Sequence, residues 1–245
     1  MNKIVIIPTY NERNTIEFLI KKILSYDFCI LVIDDNSFDG TAEILEKLKK
    51  EINNDNFLEI IHRPKKLGLG TAYKEGFRYV LNNKKYNFIF MMDGDFSHNP
   101  DYLPVFVKNL EKYDLIIGSR YVVGGNIIGW SFYRKCLSFF GNLYAKTLIN
   151  IPIKDFTSGF MGFGSYVLQN IDYNNIKSEG YGFLIELKYR IYKKKYKICE
   201  IPIVFVDRIS GKSKISQKII FEAMILCIKL CLLQIKNKIT ELLKF

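Results

Sequence analysis

Two aspartates on either side of one glycine, Asp93-Gly94-Asp95, follow directly on the apolar run from Phe88 to Met92. An apolar run of this length before a turn is typical of a buried strand, and open α/β sheets bind ligands at the carboxyl ends of their strands. Two carboxylates one residue apart at such a place can hold a hard divalent cation and leave positions open for phosphate oxygens. A polar strand end without a metal is the alternative.

Acidic residues also close two earlier apolar runs. The segment 8–12, P-T-Y-N-E, ends the run that begins at Ile4, and Asp34 and Asp35 end the run 30–33. Carboxylates at three neighbouring strand ends repel one another unless a cation or hydrogen-bond donors lie among them. The pattern therefore favours a binding pocket over three unrelated strand ends.

A nucleotide is the ligand that best explains these residues. We expect Asp35 and Glu12 to accept hydrogen bonds from base or ribose, and Tyr10 to pack on the base. Asp93 and Asp95 would hold the cation on the diphosphate. The segment 65–71, K-K-L-G-L-G-T, resembles a phosphate loop, but it matches neither the dinucleotide nor the P-loop pattern and is equally typical of a loop at the start of a helix.

The composition indicates one globular domain, or a domain with an appendage, because the chain has 245 residues of which 49% are apolar. The five cysteines have no paired metal-ligand spacing, and their odd number argues against a disulfide framework. We interpret them as ordinary buried residues or free thiols in a reducing compartment. The first apolar run is too short for a signal peptide and is better interpreted as a strand.

Positive charge is concentrated near the C-terminus. From Lys188 onward the chain has 14 Lys and Arg against 4 Asp and Glu, whereas the first 187 residues have 22 against 21. A neutral body with a basic tail indicates that the tail meets an anionic surface, either lipid headgroups or nucleic acid.

Strand and helix patterns alternate in the first half of the chain. Strand patterns lie at 4–8, 30–33, 88–92 and 115–117, and helical patterns lie at about 15–25, 41–50, 70–81 and 101–110. The turn 36–40, N-S-F-D-G, supplies a cap for the second helix. This alternation predicts the α/β class, with a mostly parallel sheet covered on both faces.

The second half predicts helices over 130–149 and 182–192, a strand over 198–206 and a final helix that includes 219–233. In that final helix Glu222, Lys229 and Lys236 form a narrow polar stripe on an apolar cylinder. A membrane-spanning helix needs about 20 residues with few charges. We therefore expect this helix to lie in a membrane interface or to pack on partner helices.

The three acidic strand ends together resemble the GT-A inverting glycosyltransferases of family two. Four later segments resemble, more narrowly, the dolichol-phosphate mannosyltransferase family: 118–121, 130–134, 155–160 and 205–214. The resemblance covers about residues 3–230. It implies a GT-A (Rossmann-like) catalytic domain over 1–210, with a mixed, mostly parallel central sheet. A basic amphipathic membrane-associating segment over 211–245, with interfacial helices, would follow.

The resemblance also assigns roles to individual residues. It implies that the nucleotide sugar contacts Pro8, Tyr10, Glu12, Ile33, Asp35, Asp93, Gly94, Asp95, Arg120, Arg208 and Lys214. It implies a Mg²⁺ or Mn²⁺ cofactor on Asp93, Asp95 and Ser97, where Ser97 takes the place of a glutamine in many relatives, and an acceptor phosphate on Arg134 and Ser138. Asp95, Arg120 and Arg208 would be the catalytic residues.

Each basic residue also has a plainer interpretation. Arg134 can be a solvated charge at the start of a helix, Arg208 an ion-pair partner of Asp207, and Ser138 part of a helix surface. We interpret His62 and His98 as structural.

The activity implied is transfer of mannose from GDP-mannose to dolichyl or polyprenyl phosphate with inversion, which supplies lipid-linked mannose for protein glycosylation and GPI anchor synthesis. The expected partners are these two substrates, a membrane surface and small membrane-anchoring subunits, with no nucleic acid. The expected location is the cytosolic face of the endoplasmic reticulum membrane, or the cytoplasmic membrane face in a prokaryote. The alternatives are a UDP-glucose or UDP-GlcNAc donor and, in a different class, a basic nucleic-acid-binding protein. Polysaccharide synthesis is less favoured, because the Gln-x-x-Arg-Trp signature of processive synthases is absent.

Overall fold

Helices and strands alternate along the chain in the computed structural model, which describes residues 2–52, 57–83, 85–208 and 217–242. The strands are β1 (Lys3–Thr9), β2 (Cys29–Asp34), β3 (Leu58–His62), β4 (Phe88–Met91), β5 (Leu115–Ser119), β6 (Asn126–Ile128), β7 (Met161–Gly164), β8 (Ile198–Pro202) and β9 (Val204–Val206). The helices are α1 (Ile16–Leu24), α2 (Thr41–Ile52), α3 (Leu69–Asn83), α4 (Leu103–Leu110), α5 (Phe132–Ile149), α6 (Ser165–Gln169), α7 (Tyr181–Lys193) and α8 (Gln217–Leu242).

Seven strands form one sheet in the order β3-β2-β1-β4-β7-β5-β8. All neighbouring pairs are parallel except those of β7, which runs antiparallel to both β4 and β5. The prediction of a mixed, mostly parallel sheet is confirmed. Because β1, β2 and β4 are parallel neighbours, the three acidic segments that follow them meet at one edge of the sheet.

Both faces of the sheet are covered, which explains why its strands are continuously apolar. Along β1, Ile4 and Ile6 belong to a core that includes α3, α5 and α7, whereas Val5 and Ile7 belong to a core that includes α1 and α4. All four residues are fully buried. The alternation follows from the two-residue period of a strand, which sends successive side chains to opposite faces.

The strand predicted over 198–206 is wrong as a single element. The structure divides it between β8, at the edge of the main sheet, and β9, which pairs with β6 in a separate two-stranded sheet. Pro202 has no N–H to donate to a ladder, so a strand cannot continue through it with neighbours on both sides. The small sheet leads the chain from the main sheet toward Asp207, whose N–H donates to the Ile128 carbonyl at 2.9 Å.

Helix α8 packs on the body of the protein through α5 and α7. Cys227 and Leu230 are buried in the same core as Ile4 and Ile6. The part of the predicted C-terminal segment that the structure describes therefore shares the main core, and the boundary at 210 stays a prediction. Among the described residues, no helix combines the length and the apolar character that a bilayer crossing demands.

Candidate active site

The ends of β1 and β2 are tied together by Asp34. Thr9 and Ser37 both donate hydroxyl hydrogen bonds to its Oδ1, at 3.0 and 2.6 Å, and the N–H of Ser37 donates to its Oδ2. Ser37 Oγ in turn accepts from the N–H of Asn11. Buried Asp34 therefore fixes the loops that carry the predicted nucleoside-binding residues.

The carboxylate of Asp35 is held by an arginine that the sequence analysis did not identify. Arg63 Nη1 donates to its Oδ1 at 2.6 Å, and the N–H groups of Leu67 and Gly68 donate to its Oδ2 at 3.3 and 3.0 Å. Arg63 and Asp35 are both buried. The pair orders the 63–71 loop beside the strand ends, so Asp35 contributes to the shape of the pocket as well as to its polarity.

An exposed aromatic surface lies beside this pair. Lys66 Nζ is 4.0 Å from the centre of the Tyr10 ring, and Phe38 meets the same ring edge-on at 6.1 Å. Pro8 and Glu12 are half-buried next to it. An aromatic face with an ammonium group above it is suited to a nucleoside diphosphate, which offers a base to stack and negative charge to neutralise.

One predicted pocket residue lies deeper than the others. Ile33 is 0% exposed and packs in the core on the α3 side of the sheet. The strand period explains its burial, since the polar loop begins only at Asp34, while the preceding position points into the core. Contact of Ile33 with the nucleotide stays a prediction.

Gly94 lets the two acidic residues approach the end of β1. A Cβ on this glycine would lie 3.2 Å from Thr9 Cγ2 and 3.5 Å from Glu12 Cγ. Thr15 Oγ1 donates to the Gly94 carbonyl at 2.9 Å. The glycine of the motif therefore provides close packing, which brings Asp93 and Asp95 next to the Glu12 loop.

The two aspartates have different surroundings. Asp93 is about one-third exposed, while Asp95 is nearly buried. Asp95 Oδ1 accepts from the N–H and Oγ of Ser97 at 3.1 and 2.5 Å, and its Oδ2 lies 3.1 Å from Arg208 Nη2. Burial alone would raise the pKa of Asp95, but the Ser97 hydrogen bond and the Arg208 charge outweigh it and lower the pKa. Asp95 is therefore ionised at neutral pH.

Buried His98 holds the backbone of the Asp93-Gly94-Asp95 motif in place. Its Nδ1 accepts a hydrogen bond from the N–H of Asp93 at 3.2 Å, and its ring stacks on Phe160 at 5.1 Å. Burial lowers the pKa of His98, although the negative charges of Asp93 and Asp95 act to raise it. The ring is therefore neutral, and its Nδ1 can accept the hydrogen bond from Asp93. The interpretation of His98 as structural needs refinement, because it positions the backbone of a candidate metal ligand.

The donor set suits Mg²⁺ or Mn²⁺. Both ions prefer hard oxygen ligands, and the Arg208 guanidinium at Asp95 shows that a cationic group is already accommodated there. Within the described part of the chain, no three His, Cys, Asp or Glu side chains converge on one point. Asp93 and Asp95 would therefore hold the ion together with water and diphosphate. The Ser97 hydroxyl donates a hydrogen bond to Asp95, so Ser97 lies beside this candidate ligand.

Arg120 is engaged in a buried ion pair. Its Nε and Nη2 donate to the two oxygens of Asp155 at 2.8 and 2.7 Å, and Nη2 also donates to Thr157 Oγ1. Burial alone would lower the pKa of Arg120, yet Asp155 raises it above the usual value and is itself held ionised. Arg120 therefore anchors the 155–159 loop, and direct contact of Arg120 with the sugar or acceptor stays a prediction.

Arg134 and Asp207 form a second, more accessible ion pair. Arg134 Nη1 donates to both oxygens of Asp207 at 2.9 and 3.1 Å, and its guanidinium lies 4.0 Å from the centre of the Trp130 ring. Arg134 is thus not a merely solvated charge. Ser138, one turn further along α5, accepts a hydrogen bond from the Tyr121 hydroxyl at 2.7 Å.

The interpretation of Arg208 as the partner of Asp207 is wrong, because the Arg208 side chain pairs with Asp95. Only the backbone N–H of Arg208 donates to Asp207 Oδ1, at 3.1 Å. Lys214, predicted to act with Arg208, lies outside the described residues.

A largely apolar cavity of about 400 Å³ opens beside Arg134. It lies between α5, α7 and α8, and its apolar lining includes Leu137, Tyr144, Ile185, Ile220, Ala223 and Met224. Arg134 and Ser138 are also among its lining residues. The cavity therefore combines space for an apolar chain with an arginine in its wall. The sequence indicated the two polar residues but not the cavity, because its walls come from helices far apart in the chain.

Comparison with known proteins settles the family. The profile described as Glycosyl transferase family 2 matches residues 4–172. The chain belongs to glycosyltransferase family 2. It is therefore a glycosyltransferase. The alternative interpretation, a basic nucleic-acid-binding protein, does not account for the match to this family.

Two bacterial members of this family resemble the chain over nearly its whole length. An undecaprenyl-phosphate mannosyltransferase of Micrococcus luteus is 36% identical over 227 residues, which cover 92% of each chain. A polyprenol monophosphomannose synthase of Mycolicibacterium smegmatis is 37% identical over 226 residues, which cover 90% of this chain and 83% of that protein.

Solved structures agree on the fold. Glucosyl-3-phosphoglycerate synthase of Mycobacterium tuberculosis, in complex with Mn²⁺, UDP-glucose and phosphoglyceric acid, superposes with a TM-score of 0.69 and 15% identity, covering 94% of this chain and 79% of that one. At this identity the likeness concerns the fold alone. The fold of this chain is GT-A, as the sequence predicts.

Proposed function

We propose that this glycosyltransferase transfers mannose from GDP-mannose to a polyprenyl or dolichyl phosphate. The observation that carries the proposal is an apolar cavity lined by Arg134, whose partner Asp207 is the chain neighbour of Arg208, the partner of Asp95. A lipid phosphate has the matching shape, an apolar chain with one anionic end. The names of the two bacterial relatives, which refer to undecaprenyl phosphate and polyprenol, support the same acceptor class.

The acceptor binds with its phosphate at Arg134 and Ser138 and its first isoprene units between α5 and α8. The second pKa of a phosphate monoester is about 6, so this group is largely a dianion at neutral pH. Arg134 provides charge for it, and Trp130, stacked on the guanidinium, keeps the arginine extended. An oxyanion nucleophile needs no general base to remove a proton.

The donor lies across the strand ends. Its base packs on Tyr10, near Lys66 and the Asp35–Arg63 pair, and its diphosphate lies at Asp93 and Asp95. A Mg²⁺ or Mn²⁺ ion held by these two aspartates would supply Lewis-acid stabilisation of the diphosphate leaving group. Arg208, beside Asp95, adds a positive charge on the same side.

The reaction is a displacement at the anomeric carbon. A phosphate oxygen of the acceptor forms a bond to the anomeric carbon. At the same time the bond between this carbon and the diphosphate oxygen breaks, and its electron pair leaves with GDP. Attack opposite the leaving group inverts the centre and gives a β-mannosyl phosphate lipid. Two anionic groups must approach each other, and Arg134 and Arg208 offset the repulsion between them.

Exposed apolar side chains on α5 and α8 place the protein at a membrane surface in this proposal. Phe132 and Tyr133 on α5 are 82% and 76% exposed, and Phe221 and Leu232 on α8 are 64% and 60% exposed. The basic C-terminal region would add attraction to anionic lipid. The membrane would be the endoplasmic reticulum, where the product serves protein glycosylation and GPI anchors, or a prokaryotic cytoplasmic membrane. Small anchoring subunits are compatible partners.

One experiment tests donor and acceptor together. The purified chain is incubated with Mn²⁺ or Mg²⁺, a polyprenyl phosphate, and labelled GDP-mannose, UDP-glucose or UDP-GlcNAc in parallel. We expect label in the lipid phase only with GDP-mannose, and none when the acceptor is the unphosphorylated polyprenol. Transfer from a UDP-sugar alone would replace the proposed donor, and transfer to no lipid with any donor would refute the proposed function.

A further inference from the structure

Asp207 and Arg208 are neighbours in the chain, and each neutralises one residue of the proposed reaction. Asp207 pairs with Arg134, the proposed contact of the acceptor phosphate, and Arg208 pairs with Asp95, a proposed metal ligand. Two adjacent residues at the end of β9 thus neutralise two side chains of the candidate site.

The position of Asp207 is built into the fold. Its N–H donates to the Ile128 carbonyl, which extends the β6–β9 ladder by one residue. Gly129 has φ +89, and a Cβ there would lie 2.9 Å from Asp207 Cβ. Any other residue at 129 would be strained and would push Asp207 away, so the glycine leaves room for this carboxylate in front of Arg134.

The two ion pairs are linked through one carboxylate. Asp207 Oδ1 accepts both from Arg134 Nη1 and from the backbone N–H of Arg208. If Asp207 turned away from Arg134, the backbone N–H of Arg208 would lose that hydrogen bond as well. Displacement at Arg134 would therefore loosen Arg208, the residue paired with Asp95.

The Arg134–Asp207 pair is accessible enough to be exchanged. Its side chains are 22% and 30% exposed, whereas in the second pair Arg208 is 20% exposed and Asp95 only 6%. An ion pair with both partners partly exposed contributes little, and a phosphate dianion carries more charge than the Asp207 carboxylate that it would replace. In addition, Arg134 Nε is buried without a hydrogen-bond partner, so its present pairing leaves a donor unused.

We propose that Asp207 is a positioning residue that occupies Arg134 until the acceptor phosphate displaces it, and that this displacement, through Arg208, couples acceptor binding to cation and donor binding at Asp95. The inference rests on the proposed function, since it takes Arg134 as the contact of the acceptor phosphate. By linkage, each ligand must then strengthen the binding of the other to the same extent.

The test compares wild type with Asp207→Asn, which keeps the size of the side chain and an acceptor for the Arg208 N–H but removes the charge. For the acceptor, we expect KM to fall about two- to five-fold, the range of a partly exposed ion pair, with a smaller change in kcat. In the Arg134→Ala background, where KM for the lipid is raised, the same substitution should leave KM unchanged. Asp101→Asn, which removes an exposed charge paired with Lys22, is the matched control and should not move KM.

A binding measurement, independent of turnover, tests the coupling. The Kd of GDP with Mn²⁺ is measured by calorimetry with and without a short-chain polyprenyl phosphate. Wild type should bind GDP more tightly when the phosphate is present, and Asp207→Asn should lose most of that gain. A raised or unchanged acceptor KM in Asp207→Asn, or equal coupling in both proteins, overturns the inference. If wild type transfers sugar to no lipid at all, the proposed function itself has failed, whereas transfer with an unresponsive Asp207→Asn leaves that function intact.

Discussion

Four arginines of the site form ion pairs with carboxylates, and the burial of the pairs divides them into two kinds. The pairs are Arg63–Asp35, Arg120–Asp155, Arg134–Asp207 and Arg208–Asp95. The first two are nearly inaccessible and bind loops to the sheet. The last two retain access to solvent on the arginine, and they line the surface that substrates would occupy. The same residue types thus stabilise the architecture in one place and, in the proposed function, bind ligands in another.

Loss of Asp155 should destabilise the fold. Its removal leaves the buried Arg120 charge uncompensated, which costs about 3–5 kcal/mol in comparable buried pairs. We therefore expect the free energy of unfolding of Asp155→Ala, measured by urea denaturation, to fall by about that amount. Asp101→Ala, at an exposed ion pair, should lower it several times less. Equal effects of the two substitutions would contradict the assignment of Arg120–Asp155 as an architectural pair.

Loss of Asp95 should abolish transfer without comparable damage to the fold. Asp95→Ala removes one of two candidate metal ligands and leaves Arg208 without its partner, so we expect the activity to fall by at least about 100-fold, as for other charge-stabilising groups. GDP should also bind no more tightly with Mn²⁺ than without it. Near-normal stimulation of GDP binding by Mn²⁺ in this variant would exclude Asp95 as a metal ligand.

At the scale of elements, α7 fixes the 155–159 loop through a buried lysine. Lys188 is 0% exposed, and its Nζ donates to the carbonyls of Phe156 and Ser158 at 2.8 and 2.7 Å. Burial lowers the pKa of Lys188 to about 7, although the Asp155 charge opposes this shift. The lysine therefore connects the helix to the loop that also carries the partner of Arg120.

The Lys188 interaction predicts a pH dependence of stability. Its folded pKa of about 7 lies below the ordinary lysine value of 10.5, so between these two pH values the unfolded chain binds the extra proton and the folded chain does not. Stability from this group must therefore rise as the pH rises through that window. In urea denaturation at pH 7.5 and about 9.5, wild type should gain stability relative to Lys188→Met as the pH increases. Lys193→Met, at an exposed position of the same helix, should follow wild type.

Strands that are marked by a local apolar run could be predicted from the sequence. The pairing of strands from distant segments could not. The strand ends at Pro8, Asp34 and Asp93 are visible because each apolar run is local and stops at a polar residue. Strand β7 is short and contains Gly162 and Gly164, so its pattern is weak, and nothing local shows that it inserts antiparallel between β4 and β5.

The same reason limits prediction within the site. Arg134 and Asp207 are 73 residues apart in the chain, so their pairing depends on the β6–β9 sheet and on the room at Gly129. The resemblance pointed to Arg134, but local sequence patterns could not reveal its partner. Arg63 was missed for a similar reason, since its contact with Asp35 forms only when β2 and β3 are neighbours.

At the scale of the whole molecule, α5 and α8 lie on one face of the sheet and α1 lies on the other. The exposed aromatic residues of α5 and α8 therefore lie on the side of the sheet that holds the apolar cavity. A membrane on this side would present lipid phosphates directly to Arg134.

This arrangement predicts membrane binding with a defined orientation. The protein should sediment with phosphatidylcholine vesicles that contain phosphatidylglycerol, and binding should weaken with salt, because basic residues near such a surface contribute about 1 kcal/mol each. The double substitution Phe132→Ser and Tyr133→Ser should reduce binding. Phe18→Ser, which alters an equally exposed aromatic residue of α1, should not. Equal losses in both would contradict the proposed orientation.

The cavity between α5, α7 and α8 has a practical consequence for assays of this enzyme. In the proposed function the isoprenoid occupies this apolar cleft, and an alkyl chain has a similar shape and polarity. We therefore expect alkyl-chain detergents at micellar concentrations to compete for the same space. Apparent acceptor affinity should then be weaker in a long-chain maltoside than in lipid nanodiscs, and the inhibition should grow with the alkyl length of the detergent.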